Sequence, residues 1–154
     1  MPCTISANSP FQSPLKTTYT WRNQGIGDFT MFSGLFAAIC TLLYIKLSFN
    51  VIKLRKSHQV GIGDAGHKDL QSSIRAHANF IEYTPLAVIL IFTLEYQLIG
   101  ELFLIPLAVL FLVGRLLHAK ALYTANLKLR VAGMGCTFLS LIVMALINIY
   151  LYFL

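Results

Sequence analysis

The chain closes on 24 residues, Val131 to Leu154, without one charged side chain. At 1.5 Å of rise per residue, about 20 apolar residues in a helix cross a hydrocarbon core of about 30 Å. Three earlier runs have the same character. They are Met31 to about Ile52, interrupted by Lys46 and Asn50, then Ile74 to about Leu98, and Leu102 to about His118. Composition excludes burying all four in a water-soluble domain: charged residues make up 12% of the chain, against about 25% in soluble domains. The expected class is an all-α integral membrane protein, a bundle of four transmembrane helices. The third is the shortest, and Pro106 marks a place for the kind of kink that membrane helices tolerate.

Residues 1 to 30 differ sharply, being rich in Ser, Thr, Asn, Pro and Gln with no apolar core for a signal peptide. They read as a disordered polar tail, with residues 31–154 as the membrane domain. Met31 opens the first apolar run directly, so the functional protein is expected to start there.

The net charge of +6 does not form a nucleic-acid-binding stripe. Lys53, Arg55, Lys56 and Lys68 follow the first run, and Lys120, Lys128 and Arg130 precede the fourth. The connection between the second and third runs holds only Glu95 and Glu101. By the positive-inside rule both basic segments face the cytoplasm and both termini lie outside. The expected partners are lipids, not nucleic acid. Within the first basic segment, "GIGDAG" (Gly61 to Gly66) spells GxGxxG. A dinucleotide site needs a buried strand before that motif, and here a membrane helix precedes it. A turn between two helices is the better reading.

The second run opens on "RAHANFIEYTP". At 100° per residue Arg75, Asn79 and Glu82 fall within about 60° of arc, as one polar stripe roughly 10 Å long. His77 points elsewhere, and Tyr83 flanks the stripe. On the third helix Arg115 and His118 share a face at i, i+3. Up-and-down threading places these groups, with Lys53, Arg55 and Arg130, in one layer on the cytoplasmic side. A charge at the centre of a membrane helix costs about 2.5–3.5 kcal/mol on insertion scales. Arg75, Glu82 and Arg115 are therefore expected to face a protein interior or a wet cavity, paired with one another. Glu82 alone cannot balance so many cations, and the surplus points to an anionic ligand carrying carboxylates or a thiolate. His58 and His67 read as solvated loop residues, and His77 and His118 lack partners at obvious metal-ligand spacing, so no metal is expected. Cys3, Cys40 and Cys136 form no CxxC, and the latter two read as packing residues.

Four spans, "RAHANFIEYTP" in the second and "FLVGRLLHAKALY" ending the third together resemble the MAPEG family, the membrane-associated proteins of eicosanoid and glutathione metabolism. "IKLSFNVIKLRK" with the GIGDAG-type loop looks most like its bacterial branch, and the resemblance covers Met31 to Leu154. It implies a homotrimer in the bacterial inner membrane, with glutathione held between neighbouring subunits on the cytoplasmic side. By motif position, Arg75, Asn79, Glu82 and Tyr83 would contact glutathione from the second helix and Lys53 from the first. Arg115 and His118 would line the site from the third, with Arg130 beside the thiol. The implied catalytic groups are Arg130 and, second, Arg115. Either would favour a thiolate that attacks a hydrophobic electrophile or reduces a lipid hydroperoxide. Better-studied relatives carry a tyrosine one turn beyond His118, where this chain has Leu122, and Val131 rather than a hydroxyl residue follows Arg130. Prostaglandin or leukotriene synthesis is thus not the implied activity. The competing reading is a catalytically silent relative that binds lipid or a partner. A small multidrug exporter is disfavoured because the first helix holds no acidic residue.

Overall fold

A computed structural model describes residues 31–154; the polar tail and its role lie outside the described residues. Four helices account for almost all of this span: α1 (Phe32–His58), α2 (Lys68–Tyr96), α3 (Glu101–Tyr123) and α4 (Leu127–Tyr152). Each is long and apolar enough to cross a membrane, and no strand occurs among the described residues. The chain is a multi-pass membrane protein.

The helices outrun the apolar runs at one end of the bundle. α1 continues six residues past Ile52, α2 starts six before Ile74, and α3 and α4 extend to Tyr123 and back to Leu127. Hydrophobicity marks only the part of a helix that lies in lipid. Intrahelical bonding continues into the polar layer, where side chains favour it. Arg55, Lys56 and His58 occupy the last turn of α1 and Asp69 the first turn of α2, both complementing the helix dipole. Asn126 caps α4, accepting a hydrogen bond from Leu129 N at 3.2 Å.

At the opposite end Glu95 does the capping. The sequence places it in a loop, but it ends α2, 8% exposed. Its carboxylate accepts the backbone N–H groups of Phe32 at 2.5 Å and Ser33 at 3.0 Å. A carboxylate on the first amides of α1 satisfies donors that lipid would leave orphaned. This fastens α1 to α2.

α2 buries Ser73, Ala76, Phe80, Thr84, Ala87 and Ile91, a face repeating every three or four residues. Phe36 of α1 meets Phe111 of α3 edge-on, with ring centroids 6.0 Å apart. α3 and α4 approach most closely. A Cβ added to Gly133 would lie 2.7 Å from His118 N, and one on Gly114 would lie 2.8 Å from Thr137 Oγ1. Only glycine allows this backbone contact, the small-residue packing of membrane helices. α1 packs on α2 and scarcely touches α3, so the bundle is open on one side. Outward positions such as Leu42, Phe49, Leu102 and Leu146 are exposed, as a lipid-facing surface requires. α3 runs unbroken through Pro106.

Candidate functional site

At the basic end of the bundle, α2, α3, the short α3–α4 turn and α4 line a half-open cavity of about 710 Å³. α2 supplies Arg75, Asn79 and Glu82 to its wall, α3 supplies His118 and α4 supplies Arg130. The stripe read from helical spacing is thus one continuous wall, turned away from the buried Ser73–Ala76–Phe80 face. The side chains of Arg75, Glu82 and Arg130 make no hydrogen bond or ion pair among the described residues. His118 is 4% exposed, and its Nδ1 is buried without a hydrogen-bond partner among the described residues. A buried, unsatisfied ring nitrogen beside a cavity is a group that a ligand or water would complete.

Other candidates lie elsewhere. Arg115, expected in the ligand site and as a second thiolate-stabilising group, is 3% exposed and absent from the cavity wall. Its donors are taken up in helix packing. Nη1 donates to Asn79 Oδ1 at 2.6 Å and to the Asn79 carbonyl at 3.1 Å. Nε and Nη2 donate to Thr137 Oγ1 at 3.0 and 2.6 Å. The guanidinium lies 5.0 Å from the centroid of the Tyr83 ring, a cation–π arrangement that holds Tyr83 there rather than at the cavity. Arg115 therefore joins α2, α3 and α4. The expected pairings with Glu82 are not formed: at Arg115, Asn79 and Thr137 take the place of the carboxylate, and Arg75 is exposed on α2. Lys53 is exposed on α1 and outside the cavity, and Arg55 donates to the Gly61 carbonyl at 3.0 Å. The cationic layer read as belonging to all four helices is here a cavity of three.

His77 does turn away: it shares a 3.0 Å hydrogen bond with Ser48 and packs its ring on Tyr44 of α1. Leu122 lines the cavity one turn beyond His118 and brings no hydroxyl there. Tyr123, one place on, accepts a hydrogen bond from Asn50 at 3.0 Å, which also donates to Ser73. The GIGDAG segment is a turn, with Gly63 and Gly66 at φ of 72° and 81°. Sequence reasoning missed Gln71, Ser72 and Asn126 in the cavity wall. Gln71 stands four residues before Arg75, so extending the stripe by one turn would have found it. Hydropathy hides it, because the apolar run begins only at Ile74.

Residues 33–150 match the model of the MAPEG family. The chain belongs to the MAPEG family. It is similar to the inner membrane protein YecN of Escherichia coli, found in two strains. Identity is 35% over 120 residues, covering 78% of this chain and 92% of the relative. The MAPEG match takes in α2, α3 and every residue named above in the cavity wall.

Proposed function

We propose that this MAPEG protein binds glutathione, or a thiol of the same chemistry, in the cavity between α2, α3 and α4. The observation that carries this reading is a wall holding two arginines and a glutamate with no ion partner among the described residues. Glutathione presents two carboxylates and one ammonium. Arg75 suits a carboxylate as a charge-assisted donor, Glu82 suits the ammonium, and His118 Nδ1 gains the partner it lacks. About 710 Å³ also falls in the range of roughly 300–1,000 Å³ typical of small-molecule sites.

The chemistry that follows is thiol transfer or peroxide reduction. A free thiol has a pKa of about 8.5, and an adjacent guanidinium favours its thiolate. Arg130, in the cavity wall at the start of α4, is assigned that role, the proton passing to water. The thiolate then forms a sulfur–carbon bond to an electrophile as its leaving group departs. Arg115 is assigned instead to positioning Asn79. The assembly is a homotrimer in the bacterial inner membrane, with the site facing the cytoplasm. In it, Lys53 of a neighbouring copy completes the wall that α1 does not reach within one chain, and the hydrophobic co-substrate arrives from the lipid. Exposed Arg75 and Glu82 on a membrane helix support such a covered or wet site.

A binding-only role is favoured by one observation: Leu122 gives the cavity wall no hydroxyl at that turn. The detergent-solubilised protein, titrated with glutathione and assayed with chlorodinitrobenzene, separates these readings. Binding with turnover supports the transferase, and binding without turnover supports the silent relative. Absence of both would sink the thiol reading.

A further inference from the structure

A second polar cluster closes the junction of α1 and α2. His58 in the last turn of α1, His67 at the N-cap of α2 and Asp69 in its first turn each offer a ligand atom, all within 4.8 Å of one another. His58 Nε2 lies 2.8 Å from Asp69 Oδ2, and the His58 and His67 rings stack with centroids 4.0 Å apart. The segment between them is folded back by its own hydrogen bonds. Asp64 accepts from His67 N at 2.9 Å through its carbonyl and from Gly66 N at 3.0 Å through Oδ1. Two helix ends and a bonded turn thus bring together three groups separated by as many as eleven positions.

We propose that His58, His67 and Asp69 bind a divalent transition-metal ion of zinc's class. Two imidazoles and one carboxylate suit borderline ions, whereas calcium and magnesium require oxygen shells. Bond lengths of about 2.0–2.2 Å place neighbouring ligand atoms of a tetrahedral zinc roughly 3.3 Å apart. His58 and Asp69 are already inside that spacing. The third ligand closes by rotating the His67 ring about a soft χ2 torsion, which unstacks it from His58. The ion replaces the hydrogen that bridges His58 and Asp69, which passes to the other ring nitrogen or to water. The fourth coordination position is left for water. The ion braces the start of α2, whose Gln71 and Ser72 follow directly into the cavity wall. The proposal stands independently of the thiol reading.

The test uses the full chain without a histidine tag, stripped by chelator in detergent and titrated calorimetrically with Zn²⁺ alone. The expected result is one ion per chain. His58→Ala, His67→Gln and Asp69→Asn should each weaken binding at least about tenfold, the smaller loss seen when mere outer partners of a metal site are removed. His77→Ala, across α2 on Ser48, should leave binding unchanged. Zn²⁺ should raise the unfolding temperature of the natural chain and not that of the triple variant. Co²⁺ should give the visible absorption of a tetrahedral site, lost in the same variants. These substitutions lie outside the apolar core, and an unchanged metal-free unfolding temperature verifies each fold. No stoichiometric uptake, or uptake indifferent to all three substitutions, overturns the proposal.

Discussion

Arginine 115 and arginine 75 stand on neighbouring helices with the same charge and opposite circumstances. Arg115 is enclosed, with Asn79, Thr137 and the Tyr83 ring around its guanidinium. Removing it strips the charged donor from buried Thr137 and half-buried Asn79, and hydrogen bonds to a charged group contribute about 1.5–3 kcal/mol each. Arg115→Ala is expected to destabilise the detergent-solubilised protein by about 2 kcal/mol or more, read from its unfolding curve. Arg75 has no such ties. Arg75→Ala should leave the unfolding curve within about 0.5 kcal/mol, as exposed substitutions usually do. The same variant should lose most of its glutathione affinity by calorimetry. If Arg75→Ala instead unfolds the protein and Arg115→Ala only weakens the ligand, the two assignments are reversed. From the residues alone both arginines qualified for the site, because spacing along one helix does not reveal what the next helix offers.

Among the elements, the α3–α4 contact is the closest and the least tolerant of change. A methyl group on Gly133 would meet the backbone of His118 at 2.7 Å, while one on Gly135 meets nothing within 4 Å. Gly133→Ala should therefore cost about 1–3 kcal/mol, as overpacking does, and should also weaken thiol binding, because His118 is the neighbour displaced. Gly135→Ala, two residues along the same helix, should be neutral or slightly stabilising through helix propensity. Paired thermal unfolding and glutathione titration check both. At the other end, Glu95→Ala removes the carboxylate that holds the first amides of α1. A lost cap costs about 0.5–2 kcal/mol, and the loss should appear as faster hydrogen exchange at Phe32 and Ser33. That role was hidden because capping joins residues 63 positions apart. The helices themselves were legible, though their polar ends at Lys68, Tyr123 and Leu127 were not. Hydropathy measures contact with lipid, and a helix does not stop where lipid does.

For the molecule as a whole, the open side of the bundle and the exposed charges of α2 carry the same implication. A single chain leaves Glu82 and Arg75 on a surface that lipid would border, and a charge there is costly. Native mass spectrometry in a mild detergent is expected to find a trimer, and a monomer at every detergent concentration would refute the shared-site arrangement. The sequence by itself determined the number of membrane helices, their apolar cores and the Arg75–Asn79–Glu82 stripe. Each of these follows from composition and from the 100° step of one helix, both local properties. Only the tertiary structure decided which charges remain available. It drew Arg115 onto an asparagine 36 residues away, excluded Lys53 from the cavity, left Arg130 and His118 facing it, and gathered His58, His67 and Asp69 at one corner. Those outcomes depend on which helix faces meet, and that is fixed by contacts such as Gly114 against Gly133, whose meaning appears only once two distant segments touch.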